Sequence, residues 1–404
     1  MTSAEITRLE ELVAAREILV FCGSGGVGKT SMAAATALGA VAHVGGKVLV
    51  LTIDPARRLA SALGVEGLGN QERRIDDAAI RAAGVEPRGE LWAAMLDTKQ
   101  SWDELVLRHA PDEETAYRIL DNRMYHNLTA RFVQSHDYVA MERLYELHSS
   151  GVYDVIVVDT PPTRNAIDFL EAPSRMAEFF GGRLLRWLTL PYRAAGKRGT
   201  RVLTVASRPF YQVADRALGS RFLEDIAKFF LNFQSMYDGF VDRARLVERL
   251  LHDHRTTFAV VTTLEAAPLG EAKAFCAELS ARDFDLGAIV LNRTLPDVLR
   301  SANARHAAEL LAERADTIAA ELADRGPAEL ADARLEEPRI KRVLTTVAGT
   351  FHDYSVVATR EAEQRHRLEQ LPRVTAVVPT LPGEINDLVG LAQIAQHLYG
   401  REDQ

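Results

Sequence analysis

Eight residues near the start of the chain constrain its fold more than any other stretch: Gly23, Ser24, Gly25, Gly26, Val27, Gly28, Lys29 and Thr30. They match G-x-x-x-x-G-K-[ST], a loop whose backbone N–H groups turn inward around an anion. Small side chains at three of the four variable positions leave the backbone open to close approach. Such a loop works when a strand leads into it and a helix leads away. Glu17-Ile-Leu-Val-Phe-Cys22 is a short apolar run that reads as a buried strand, and Ser31 to Ala42 is small-residue helix material. In that setting Lys29 reaches the β- and γ-phosphates of a nucleoside triphosphate, and the Thr30 hydroxyl takes one position on Mg²⁺. Gly23 to Ser31 are therefore the candidate phosphate-binding residues.

The chain has 404 residues, room for one large α/β domain with additions or for two domains, and we read it as one domain over 1–404. A net charge of −8 argues against a protein built to coat nucleic acid, so no nucleic-acid partner is expected. Cys22 and Cys276, the two cysteines, make neither a disulfide framework nor a CxxC metal site, which suits a cytoplasmic location. Met1 to Glu17 is acidic and lacks the apolar centre of a signal peptide. The long apolar stretch from Ala33 to Ile53 is broken by His43, Gly45, Gly46 and Lys47, and reads as helix, turn and strand.

Further buried strands are expected at Lys47–Ile53, Leu91–Leu96, Asp154–Asp159, Thr256–Thr262, Leu286–Leu291 and Val374–Val378. Alternation of these with helical stretches predicts an α/β fold: a doubly wound, mostly parallel sheet of the P-loop NTPase kind. Helical insertions are expected at about 101–149 and 173–251, and a charged helical insertion at about 297–370. Glu66 to Glu90 signals no element. Asp387 to Tyr399 reads as a closing amphipathic helix.

Strand ends carry the remaining candidates. Asp54 follows the second strand and suits two roles equally: a carboxylate that orients a water for attack on phosphate, or a helix N-cap. Asp159 ends a strand beside the loop, the setting of an acid that acts on Mg²⁺ directly or through a water. Asn292 follows the Leu286–Leu291 run with an amide able to read a purine edge. Between Glu178 and Asp215 no acidic residue occurs, while Arg183, Arg186, Arg193, Lys197, Arg198, Arg201 and Arg208 alternate with apolar residues. That mixture fits a membrane or hydrophobic-client surface, and equally a helical subdomain with an exposed basic loop.

With these residues placed, the chain resembles the ArsA-type ATPases, which include the arsenite-pump ATPase and the ATPase that delivers tail-anchored membrane proteins, cousins of MinD and ParA. The run Leu51-Thr-Ile-Asp-Pro-Ala-Arg-Arg-Leu-Ala-Ser-Ala-Leu63 is similar to the family's switch I. The resemblance implies ATP and Mg²⁺ as cofactors, Asp54 as the water-activating residue and Lys29 as its catalytic companion. It further implies Asp159 as the metal-side acid, and Asn292 with the backbone of Val378 and Pro379 around adenine. A dimeric switch that couples ATP turnover to a hydrophobic client or a membrane-associated partner is the implied function.

Departures from the family pattern modify the expectation. The signature lysine, which in the family crosses a face-to-face dimer interface, is Ser24 here. Arg164-Asn165 stands where Gly-His is usual, and the paired cysteines of the zinc and arsenite sites have no counterpart, which disfavours an anion pump. Ser24 points to a heterodimer with a paralogue that keeps the lysine, with a homodimer as the alternative. It also leaves open a slow regulatory or scaffold subunit.

Overall fold

The computed structural model describes residues 6–53, 58–131, 133–161, 239–325, 336–368 and 374–400, with a few positions between 170 and 236. The Arg/Lys-rich stretch from Arg183 to Arg208 lies outside the described residues, as do Asp54 and Arg164-Asn165.

Eight strands form one sheet: β1 (Ile18–Cys22), β2 (Gly46–Thr52), β3 (Arg73–Arg74), β4 (Gly89–Met95), β5 (Val155–Asp159), β6 (Thr256–Thr262), β7 (Leu286–Thr294) and β8 (Val374–Pro379). Their order is β3-β4-β2-β5-β1-β6-β7-β8. Pairing is parallel throughout except for β3 against β4, which is antiparallel. A parallel sheet needs cover on both faces, and the strand sequences show why it gets it. Along β1, Leu19 and Phe21 point to one core while Ile18, Val20 and Cys22 point to the other.

The first face is covered by α1 (Leu9–Ala14), α2 (Lys29–His43), α3 (Arg58–Leu63) and α4 (Asp77–Ala82). The second carries α5 (Thr98–His109), α6 (Glu113–Leu120), α7 (Arg123–Arg131), α8 (Val133–Ser149), a helical stretch over 239–251, and α9 (Ala266–Ala281). Aspartates start several of these helices: Asp97 accepts from the Gln100 N–H at 2.9 Å and Asp112 from the Thr115 N–H at 2.7 Å. On the second face Trp102 and Tyr138 stack on Phe240, and a buried ion pair joins Glu142 to Arg243 at 2.5 Å.

After β7 come α10 (Ala302–Glu313), α11 (Ala315–Arg325) and α12 (Glu337–Leu368), then β8 and α13 (Leu388–Tyr399), which returns to the first face. The 32 residues of α12 make a rod of roughly 48 Å. Two features depart from the sequence reading. Strand β7 runs on to Thr294, so Asn292 lies inside it, and the segment from Glu66 to Glu90 holds β3 and α4.

Candidate active site

The phosphate-loop candidates sit at the carboxyl end of β1, the middle of the sheet, where α/β proteins bind ligands. Gly23 takes φ 152°, and a Cβ there would lie 2.2 Å from the Val261 carbonyl oxygen of β6, so no other residue fits. Gly28 takes φ 93° and caps α2, with Asn292 Nδ2 2.4 Å from where its Cβ would stand. Gly25 and Gly26 form the exposed tip, Val27 is buried beneath it, and Ser31 sits half-buried in the first turn of α2. The loop therefore opens onto the free N–H groups and positive end of a helix fifteen residues long.

Lys29 is 6% exposed, and its ammonium donates to the carbonyls of Gly23 and Ser24, each at 2.9 Å. Its charge is thereby held across the mouth of the loop. The Ser24 hydroxyl is shielded from solvent and has no hydrogen-bond partner among the described residues.

On the β5 side, Asp159 is fully buried at its strand end. One carboxylate oxygen accepts from Thr30 at 2.7 Å and from Thr52 at 2.9 Å. Strand register makes this possible: Thr52 of β2 and Phe21 of β1 flank Asp159 on either side. The sequence reading paired Asp159 with Thr30 and missed Thr52; a hydroxyl at the end of the neighbouring strand was the available signal. Thr160 donates its hydroxyl to the Phe21 carbonyl at 2.8 Å, which ties the segment after β5 to the root of the loop. Burial pushes the nearby Cys22 thiol up to about 12, so it is a packing residue with no nucleophilic character.

On the β7 side, the Asn292 amide donates to the Val27 carbonyl at 2.8 Å and accepts from the Arg293 N–H at 2.9 Å. Its first task is thus to hold the loop against the sheet. Arg293 follows at φ 57° in a bulge where the β7–β8 register shifts. Val378 is buried and Pro379 half-buried at the end of β8, next to Thr294. Glu361 of α12 accepts from the Leu295 N–H at 2.9 Å, so the long helix grips the segment that leaves β7.

Chemically, the site offers a backbone cradle for a polyphosphate, the cation of Lys29, and a hydroxyl–carboxylate pair with the oxygen donors a hard divalent ion takes.

The family model for anion-transporting ATPases (ArsA_ATPase) matches residues 16–324. The chain is 30% identical over 169 residues to a Chlorobaculum tepidum protein named as an arsenical pump-driving ATPase. That match covers 40% of this chain and 36% of the relative, so the chain spans little more than a third of its length. ATPase BagA of Mycobacterium tuberculosis is 27% identical over 299 residues, covering 71% of this chain and 68% of that protein. ATPase get3 of Aspergillus terreus is 24% identical over 278 residues, covering 68% and 72%.

Proposed function

The chain belongs to the anion-transporting ATPase family, and on that premise we propose that it hydrolyses ATP as a dimeric switch acting on a hydrophobic client or membrane-associated partner. The observation that carries the reading is the Thr30–Asp159 hydrogen bond at 2.7 Å beside the glycine cradle. The loop N–H groups orient the polyphosphate. Lys29 exchanges its two carbonyl partners for phosphate oxygens and neutralises their charge. Thr30 and Asp159 are the residues that would hold Mg²⁺, Asp159 through a water. A magnesium ion bound there supplies charge neutralisation as the γ-phosphate departs. Asp54 orients the attacking water, and Asn292 with the Val378–Pro379 backbone frames adenine. Catalysis in this scheme is positioning and electrostatics, with no covalent intermediate.

The test is steady-state phosphate release by the purified chain, with Lys29→Ala as the blank. Equal rates for the two proteins overturn the assignment. Among the described residues no helix is long and apolar enough to cross a membrane, and we place the protein in the cytoplasm, peripheral at the membrane when its partner is there.

A slow regulatory or scaffold subunit is the second reading, and the Ser24 hydroxyl favours it, because it brings no charge to the loop. A scaffold retains bound ATP for many minutes, which the same assay detects. Both readings accommodate a heterodimer whose other subunit supplies a lysine.

A further inference from the structure

Strand β2 changes its chemistry at its last residue without changing its shape. Along Val48-Leu-Val-Leu-Thr52, Val48 and Val50 pack in the core that holds α2, while Leu49 and Leu51 pack in the opposite one. Alternation puts Thr52 on the α2 face, where a third valine would fill the same volume. The position is 0% exposed. A hydroxyl buried there costs free energy unless it is hydrogen-bonded, so its partner tells what it is for.

That partner is Asp159, its neighbour in register on β5. Thr52 donates to one carboxylate oxygen at 2.9 Å, and Thr30 reaches the same oxygen at 2.7 Å from the first turn of α2. Two donors on one oxygen, one from the sheet and one from a helix, fix the rotation of the carboxylate plane. Their surroundings differ: Thr30 is half-buried at the loop, whereas Thr52 is sealed from solvent. The next residue adds a backbone hold, because the Ile53 N–H donates to the Asp159 carbonyl at 3.0 Å. Consecutive residues of β2 and its exit thus grip the same aspartate, and Asp54 follows them directly in the chain.

We propose that Thr52 is a positioning residue for the metal-side acid. It holds Asp159 in the orientation that Mg²⁺ requires, and it ties that orientation to the strand end from which the Asp54 segment departs. Buried as it is, the hydroxyl acts through Asp159. The inference rests on the ATPase reading and deepens it, since that reading gives Thr52 no part.

Isothermal titration of the full chain with ADP, once with Mg²⁺ and once with EDTA, tests it, because the ratio of the two affinities isolates the metal side from the loop. Thr52→Val keeps the shape and removes the donor, Thr52→Ser keeps the donor and removes a methyl, and Thr52→Ala removes both. Val and Ala should cut the gain that Mg²⁺ brings at least fivefold, with affinities in EDTA within about twofold of the parent. Both should also lower kcat for ATP at least tenfold while KM moves about twofold or less. Ser should keep the Mg²⁺-dependent gain. Ser and Ala differ by one oxygen, so their comparison stands even where the Val chain fails to fold. Parental gain in the Ala chain, or a Ser chain that loses as much as Ala, assigns Thr52 to packing and overturns the proposal. A parent chain whose ADP affinity ignores Mg²⁺ overturns the ATPase reading beneath it, and that outcome is read before any variant is made.

Discussion

The Tyr399 hydroxyl donates to the Thr36 carbonyl at 2.7 Å, which latches the last helix of the described chain to the helix that starts at the phosphate loop. The ring lies in the notch left by Gly39, where a Cβ would stand 2.2 Å from a ring carbon, and stacks on His43 at 5.1 Å. Residues more than 350 positions apart thus set the position of α2, and with it the direction of its N-terminal dipole.

Gly39→Ala measures the latch. On helix propensity alone the substitution gains about 1 kcal/mol, but overpacking against the ring costs about 1–3 kcal/mol. We expect a net loss, read as a lower urea midpoint with unchanged slope. In a Tyr399→Ala background the sign should reverse, because the notch is then open. A loss of equal size in both backgrounds would show that the ring is irrelevant. Tyr399→Phe should cost about 0.5–1.5 kcal/mol for the hydrogen bond.

Substitutions at the site should separate binding from turnover. Lys29→Ala should abolish binding of ATP, read by isothermal titration. Asp159→Asn should leave binding in the absence of Mg²⁺ unchanged while removing the gain that Mg²⁺ brings, and turnover should fall about 100-fold or more. Asp54→Asn should bind normally and turn over at least tenfold more slowly, about 1.4 kcal/mol of barrier or more. Normal turnover by the Asp54 variant would reassign that carboxylate to helix capping.

His109 supplies a pH test on the helical face. Burial first, then the Arg243 guanidinium 3.4 Å from Nδ1 and Arg108, hold the imidazole at about 4, against the opposing pull of Glu146. The folded value lies below the unfolded one, so the unfolded chain takes up the proton first as pH falls. Stability should be full above pH 6.5 and decline between there and about 4. His109→Asn should flatten that part of a melting-temperature profile, and an unchanged slope would locate the effect elsewhere.

What the sequence disclosed follows from which signals are local. The phosphate loop, the buried strands and Asp159 were legible because a glycine spacing or an apolar run marks each within ten residues. The β7 boundary was misplaced because Asn292 and Arg293 are polar, and polar residues at a sheet's end look like a loop until a neighbouring strand pairs with them. The short β3 carries two arginines and no alternation, so nothing in it announces a strand. Thr52, Tyr399 and Glu361 act through partners far away in the chain, and their roles appear once the strand order is known. Asn292 shows the limit most plainly: its type suggested base recognition, while its geometry commits one amide hydrogen to Val27.

Under the proposed function, Ser24 bears on how the switch is assembled. A lysine at this position carries a full charge that can reach a partner's phosphates, where a water-poor seam strengthens it. A serine offers one hydrogen bond, and among the described residues its buried hydroxyl has no partner. A homodimer would lack the trans cation at both nucleotides, so the chain alone should turn over slowly. Ser24→Lys should raise phosphate release at least tenfold if two copies face each other, because each then lends its cation to the other. Mixing the parent chain with its closest lysine-bearing paralogue should raise it as well, with the gain abolished by Lys29→Ala in this chain. Robust turnover by the parent chain alone, unmoved by either change, would remove the heterodimer from the proposal and assign the neutralising charge to an arginine of this chain.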